Sequence, residues 1–250
     1  MQTRVVLMAN VIEYTVNAYM SNIRTVLLFS LSFLVAILIP IFAAFPTYSD
    51  MGGIFVRTAS ELLNLNVVSF SIIIASIFFS LVFLSFAIVA INIITKHERT
   101  HVRIKKEVFE GLERYTSRVF AVLLLFTVLL SLFDLLLYVS HAPTFIYYLL
   151  VLLITPFFFY APSSVVIDDS RVLHAMRMSV KFLVKRFDYF LLWLAIAAVA
   201  LSIFDGLFIL ISPTIVSTYI MLVFNAVFVL PFLVLLQSQM YLKRFAMLKR

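Results

Sequence analysis

Two aspartates lie inside otherwise apolar stretches, and their type and position could support chemistry. Asp134 occurs in SLFDLLLYVSHAPT, residues 131–144, and Asp205 occurs in SIFDGLFILISPT, residues 202–214. A carboxylate in apolar surroundings can bind a cation or a proton, because leaving it charged and unpaired there is costly. With Asn225, the two acids form the candidate ion or solute site. The competing interpretation is structural: hydroxyl groups, water or Arg57 of the 46–66 loop satisfy the acids.

A second group of candidate residues is basic. It consists of Arg171, Arg177, Lys181, Lys185 and Arg186. The spacing i, i+4, i+8 places Arg177, Lys181 and Lys185 on one face of a helix. Such a face suits the phosphate headgroups of anionic lipids or an acidic protein partner. The alternative is a solvated face that only anchors the helix.

The residue types do not indicate thiol, metal or phosphate-loop chemistry. The chain has no cysteine, which excludes disulfides, thiolate catalysis and cysteine-bound metals. Its four histidines show no HExxH or comparable spacing, and no glycine-rich phosphate loop occurs. We therefore predict a non-enzymatic protein without catalytic, metal-binding or cofactor-binding residues.

Composition identifies the environment in which these residues must work. Hydrophobic residues make up 64% of the 250 residues and charged residues only 12%, whereas water-soluble domains are about half apolar. The chain is therefore predicted to be a single integral membrane domain, residues 1–250.

Six apolar segments are long enough to cross a hydrocarbon core about 30 Å thick. We predict spans at 26–45, 67–95, 119–140, 145–167, 189–212 and 215–241. Their runs are continuous rather than alternating, which favours helices over barrel strands. The predicted fold is an all-α, polytopic membrane protein.

Lysine and arginine predict the orientation of the spans. Every Lys and Arg except Arg57 lies on one side of the predicted membrane, and such residues are in excess in cytoplasmic loops. Both termini are therefore predicted to be cytoplasmic, in a multi-pass protein of the cell membrane. The net charge of +7 then reflects topology, and no nucleic-acid partner is predicted.

Three stretches alternate polar and apolar residues at helical spacing, one before each pair of spans. They cover residues 5–23, 103–118 and 171–187 and predict amphipathic helices at the cytoplasmic interface. Asp168, Asp169 and Ser170 precede the third, where an acid or hydroxyl can cap the helix.

The pattern of helix, outward span and returning span predicts three parallel repeats. The units cover residues 1–95, 96–167 and 168–250. The phrase S-x-F-D-x-L, followed by apolar residues and Pro-Thr, occurs in both of the last two units. This duplication places Asp134 and Asp205 at similar depths near the external side.

The stretch FYAPSSVVIDDSRVLHAMRMSVKFLVKRF, residues 159–187, carries a family resemblance. The matching residues are Tyr160, Ala161, Pro162, Val165, Val166, Asp168, Asp169, Ala175, Ser179, Lys185 and Arg186. The pattern resembles the membrane domain found with glycerophosphoryl diester phosphodiesterases and related prokaryotic membrane families of unassigned function. The resemblance implies six spans with helices at the cytoplasmic face. It implies no phosphodiesterase activity, since the hydrolase of that family is a separate barrel domain.

Two functional hypotheses remain open at this point. In the first, the basic helices organise membrane lipids, anionic ones included, or a partner protein at the cytoplasmic face. In the second, the protein is a small transporter or channel in which Asp134 and Asp205 line an outward-facing site.

Overall fold

The computed structural model describes residues 2–42, 47–50, 53–56, 66–98, 104–141, 143–211 and 215–246. Within these ranges the chain is helical apart from one short hairpin. The helices are α1 (Gln2–Ser21), α2 (Ile23–Phe42), α3 (Val67–Glu98), α4 (Ile104–Val139), α5 (Thr144–Phe158), α6 (Ala161–Ile167), α7 (Val172–Lys185), α8 (Phe187–Ile211), α9 (Ile215–Phe224) and α10 (Leu230–Ala246), with a π-helical turn at Asn225–Val229 before α10.

Among the described residues, six segments are long and apolar enough to cross a membrane, which confirms the predicted all-α, multi-pass architecture. They are Ile23–Ile41, Val67–Lys96, Phe109–Val139, Phe145–Ile167, Phe187–Leu210 and Ser217–Lys243. Between the first two, strands β1 (Thr47–Asp50) and β2 (Gly53–Val56) pair antiparallel, with Thr47 opposite Val56.

The second predicted amphipathic helix, residues 103–118, is not a separate element. Helix α4 runs unbroken from Ile104 to Val139, since no proline interrupts it. Its 36 residues span about 54 Å at roughly 1.5 Å per residue, so it is longer than the bilayer core is thick. Leu112, Tyr115 and Val119 are buried in the core, so packing holds this part of α4 against its neighbours.

Helix α1 packs against the last span. Only Asn22 separates it from α2, and helical hydrogen bonding continues through that residue. The Tyr19 ring meets Phe232 edge-on at 5.9 Å, and its hydroxyl donates to the carbonyl of Phe228 at 3.4 Å. Burial raises the pKa of Tyr19 because it disfavours the phenolate.

Prolines account for the interruptions in the fourth and sixth spans. Pro156 lies in the last turn of α5, and Pro162 lies in the first turn of α6. In the sixth span Pro231 has no N–H to donate to the carbonyl four residues earlier. The preceding turn widens, and the N–H of Leu230 donates to the carbonyl of Asn225, five residues back.

The ends of spans 2, 4 and 6 meet at what we call the basic end, the end of the bundle carrying Lys96, Arg118, Arg171 and Lys243. Lys96 Nζ donates to the carbonyl of Val166 at 2.9 Å, which joins α3 to α6. All residues from Ala161 to Val166 are buried. This short helix is therefore at the centre of the packing that supports the basic candidate residues.

Candidate functional site

The turn before α7 is held by an ion-pair cluster. Asp169 accepts hydrogen bonds from Arg114 and Arg118 of α4, the second at 2.8 Å. Its backbone has a φ of 53°, a conformation that Asp and Asn tolerate better than most residues. Because the three side chains are between 35% and 58% exposed, water weakens the charge interaction, and the cluster mainly fixes the geometry of the turn.

Asp168 connects the same turn to the last span. Its carboxylate accepts a hydrogen bond from the Tyr241 hydroxyl at 2.5 Å and lies 3.4 Å from Ser164 Oγ. The prediction that Asp168, Asp169 or Ser170 caps α7 is wrong, since the N-cap is Arg171 and no side chain bonds there. The carboxylates instead bind side chains of α4 and α10.

Ser179 attaches the inner face of α7 to the break between α5 and α6. Its hydroxyl donates to the carbonyl of Pro156 at 2.7 Å and accepts from the N–H of Tyr160 at 2.9 Å. The buried rings of Tyr160 and Phe182 lie 4.7 Å apart. One serine therefore satisfies two backbone groups that the helix break leaves without helical partners.

These contacts give the motif behind the family resemblance a structural role. Tyr160, Ala161, Val165, Val166, Ala175 and Ser179 are all buried. The two acids hold the turn in place. We call this set of contacts around residues 156–179 the hub. Sequence reasoning missed its partners Arg114, Arg118 and Tyr241.

The outer face of α7 carries the predicted basic residues. Arg171, Arg177, Lys181 and Lys185 are exposed, whereas Ala175, Ser179, Phe182 and Leu183 on the other face are buried. Two apolar side chains, Leu173 and Val184, are also 66% and 74% exposed. The face is therefore mixed, with basic and apolar residues side by side.

Arg186 does not belong to this exposed face, contrary to the sequence prediction. Its side chain is only 15% exposed, and its Nη1 lies 3.5 Å from the carboxylate of Asp188. The guanidinium also lies over the ring of Tyr189 at 4.9 Å. The helix ends at Lys185, which turns the next side chain toward α8. Arg186 thus has a packing role.

An open concavity of about 670 Å³ adjoins the start of α7. It is lined by Ile167, Asp168, Asp169, Ser170, Arg171, His174 and Met178. Both acids in its wall are engaged in the hub. The concavity therefore offers Arg171 and His174 as its basic groups.

The structure brings together two of the three residues predicted for an ion or solute site. Asn225 Nδ2 donates to Asp205 Oδ1 at 3.0 Å, which joins span 5 to span 6. Both side chains are buried, with 7% and 5% of their surface exposed. Asn225 is also the first residue of the widened turn before α10.

Asp134 is not part of this pair. It is half-buried and lies within electrostatic range of Tyr147 in the fourth span. Helix α4 packs on α3, α5, α6 and α7, whereas α8 packs on α9, the π-helical turn, α10 and α7. Each acid is therefore associated with the span that follows its own. Arg57, the predicted alternative partner, lies outside the described residues.

Across the residues that the structure describes, no group of three or more His, Asp or Glu side chains is arranged to hold a metal ion. No family model matches the chain, and no curated protein or solved structure is significantly similar to it. The similarity to the phosphodiesterase-associated membrane domain therefore stays a prediction.

Proposed function

We propose that this integral membrane protein has a non-enzymatic role in which α7 binds the headgroups of anionic lipids at the cytoplasmic face of the cell membrane. The observation that carries the proposal is the exposed row formed by Arg177, Lys181 and Lys185, which we call the basic row. The row belongs to a helix whose opposite face is fixed in the bundle.

The position of the exposed apolar residues supports a lipid surface over a purely aqueous one. At about 100° per residue, Leu173, Val184 and Arg177 fall within roughly 40° of one another around the helix. Lys181 and Lys185 follow on the side away from the two apolar residues. A helix in a membrane interface has this arrangement, with apolar side chains toward the acyl chains and basic ones among the headgroups.

The charges are numerous enough to produce measurable selectivity. A basic residue near an anionic surface contributes about 1 kcal/mol, so three contribute about 3 kcal/mol if they act together. That corresponds to a roughly 100-fold preference for anionic over neutral lipid. The hub strengthens the effect because Ser179 and the buried Phe182 hold the helix in place, so little ordering is required on binding.

The proposal is tested by measuring lipid selectivity in vesicles. The protein is reconstituted in phosphatidylcholine vesicles containing a minor fraction of spin-labelled phosphatidylglycerol or spin-labelled phosphatidylcholine. The motionally restricted fraction of each lipid gives the relative affinity. Wild type is expected to prefer phosphatidylglycerol, and Arg177→Gln/Lys181→Gln/Lys185→Gln is expected to lose most of that preference.

A matched control removes the same charge elsewhere. Arg24→Gln/Lys249→Gln/Arg250→Gln also neutralises three basic residues but leaves α7 intact, so it is expected to retain most of the preference. Equal losses in the two variants would show that overall charge, and not the basic row, attracts the lipid.

A second candidate function is transport, and the buried Asp205–Asn225 pair beside a widened helical turn is the observation that favours it. Polar groups beside helix interruptions line the substrate paths of many transporters. Asp134→Asn/Asp205→Asn would then abolish ion or solute flux in proteoliposomes. Flux equal to wild type, or none in either protein, would reject this candidate.

A further inference from the structure

Asp205 and Asn225 form a buried pair joined by one hydrogen bond, and a second polar atom of the pair has no hydrogen-bond partner among the described residues. The amide nitrogen of Asn225 donates to Asp205 Oδ1 at 3.0 Å. The amide oxygen of the same residue, Asn225 Oδ1, is buried and accepts no hydrogen bond from the residues that the structure describes. An acceptor buried in this way calls for a donor, and the group beside it is a carboxyl.

We propose that the Asp205–Asn225 pair is a proton-binding site, in which Asp205 takes up a proton on Oδ2 and donates it to Asn225 Oδ1. A carboxylic acid and a carboxamide are planar groups of similar size, each with one donor and one acceptor facing the other. The neutral pair therefore makes two reciprocal hydrogen bonds. The ionised pair makes one and leaves two oxygens facing each other without a proton between them.

A metal cation fits this position less well than a proton. Hard cations need about six oxygen ligands, whereas the pair offers few oxygens and its sequence neighbours are aromatic. Phe204 and Phe224, which immediately precede Asp205 and Asn225, have ring centroids 4.7 Å apart. Phe224 is also 5.0 Å from Phe228. A proton needs only the two oxygens already present.

The charged groups on the neighbouring elements do not supply a counter-ion. The titratable residues on α8 and on the elements packed against it are Asp188 and Tyr189 on α8, His174, Arg177, Lys181 and Lys185 on α7, Tyr219 on α9, and Tyr241, Lys243 and Arg244 on α10. The π-helical turn also packs against α2, which carries Arg24, and its Phe228 carbonyl accepts from the Tyr19 hydroxyl of α1. All except Tyr19 and Tyr219 belong to the basic end, and a tyrosine side chain cannot carry a positive charge. Those on α8 and α10 are at least sixteen residues from their member of the pair, on the order of 24 Å at about 1.5 Å per residue. Neutralisation by a proton removes the need for a distant cation.

The pair lies at the start of the widened turn. Asn225 is the first residue of the π-helical turn, and its carbonyl accepts from the N–H of Leu230. A π turn rotates the side chains that follow it relative to a regular helix and often occurs at functional positions. The inference is independent of lipid binding by α7, which lies at the other end of span 5.

Infrared spectroscopy of the protein in phosphatidylcholine vesicles tests the site directly. At neutral pH, wild type is expected to show the C=O band of a protonated carboxylic acid, and this band shifts in D₂O. Asp205→Asn is expected to lose the band, whereas the matched control Asp134→Asn keeps it. Asn225→Leu is expected to move the band toward the position of a carboxyl group without a hydrogen bond.

The unfolding midpoint gives an independent readout. Asn at position 205 can make the same two bonds to Asn225, since its amide donates where the acid did. Asp205→Asn is therefore expected to unfold at the wild-type midpoint, and a clear fall would contradict the reciprocal pair. A wild-type spectrum with no carboxylic acid band, or a band of full strength in Asp205→Asn, would overturn the proposal.

Discussion

The hydroxyl of Tyr241 lies 2.5 Å from the carboxylate of Asp168, a contact that joins the last span to the turn before α7. The Tyr241 ring is fully buried and packs against Phe182 of α7 at 5.2 Å. One residue of α10 therefore supports both the turn and the inner face of the helix. The orientation of the basic row follows from contacts of this kind.

Removing the Tyr241 hydroxyl tests its hydrogen bond to Asp168 without changing the packing of its ring. Tyr241→Phe keeps the ring and deletes the donor to Asp168, so we expect a loss of about 1 to 3 kcal/mol in the free energy of unfolding. Denaturation in mild detergent measures it. Tyr219→Phe, on a partly exposed residue of α9, is the control and is expected to change stability little. Equal effects would contradict the importance of the Asp168 contact.

Ser179→Ala tests the attachment of α7 to the helix break. The substitution leaves the carbonyl of Pro156 and the N–H of Tyr160 without their shared partner in a buried place. We expect it to cost about 1 to 3 kcal/mol. Ser140→Ala, at an exposed position, is the control for loss of a hydroxyl. Stability like that of wild type in Ser179→Ala would mean that the break is held by packing alone.

The Asp169 cluster is expected to be weaker because it is partly exposed. Asp169→Asn keeps a residue that tolerates the positive φ but removes the charge that faces Arg114 and Arg118. A cost of about 0.5 to 1 kcal/mol is expected, and it should shrink as salt screens the charges. Unfolding of both proteins at low and high salt measures this. A loss that does not depend on salt would point to a change in the turn itself.

Substitution by alanine is expected to have opposite effects on stability at Gly111 and Gly206, two glycines that lie in helices. A Cβ on Gly111 would lie 2.5 Å from Ile93 Cδ1, whereas one on Gly206 meets no atom within 4 Å. Gly206→Ala is therefore expected to stabilise α8 by about 0.5 to 1 kcal/mol. Gly111→Ala is expected to destabilise the α3–α4 contact, and adding Ile93→Val should recover stability by removing the crowded methyl group. Additive losses in that double variant would contradict the crowding.

The spans were predictable because the cost of burying polar groups in lipid forces long apolar runs, and these can be read directly from the residues. The hub was not. Arg114 and Asp169 are 55 residues apart in sequence, and Asp168 and Tyr241 are 73 apart. Nothing in a single sequence pairs them. Sequence alone therefore predicts that the acids cap the helix next to them and that the arginines only mark the cytoplasmic side.

The same distinction between local pattern and long-range contact applies to the candidate site residues. The exposed position of Arg177, Lys181 and Lys185 followed from helical spacing alone. That Arg186 turns inward depends on where α7 ends and on Asp188 of the next helix, which spacing does not show. Likewise, the repeated phrase predicts similar roles for Asp134 and Asp205, but Asn225, at the start of the widened turn, hydrogen-bonds to Asp205.

The most direct measurement of the proposed role of α7 is the membrane depth of its outer face. Because the chain has no cysteine, a spin label can be attached at a single introduced cysteine, in Val184→Cys or Lys185→Cys, in vesicles containing phosphatidylglycerol. We predict that the label at 184 collides more with oxygen, which concentrates in the acyl region, and that the label at 185 collides more with a water-soluble nickel chelate. Equal access of the nickel chelate to both positions would show that the face points into water, and it would contradict lipid binding by α7.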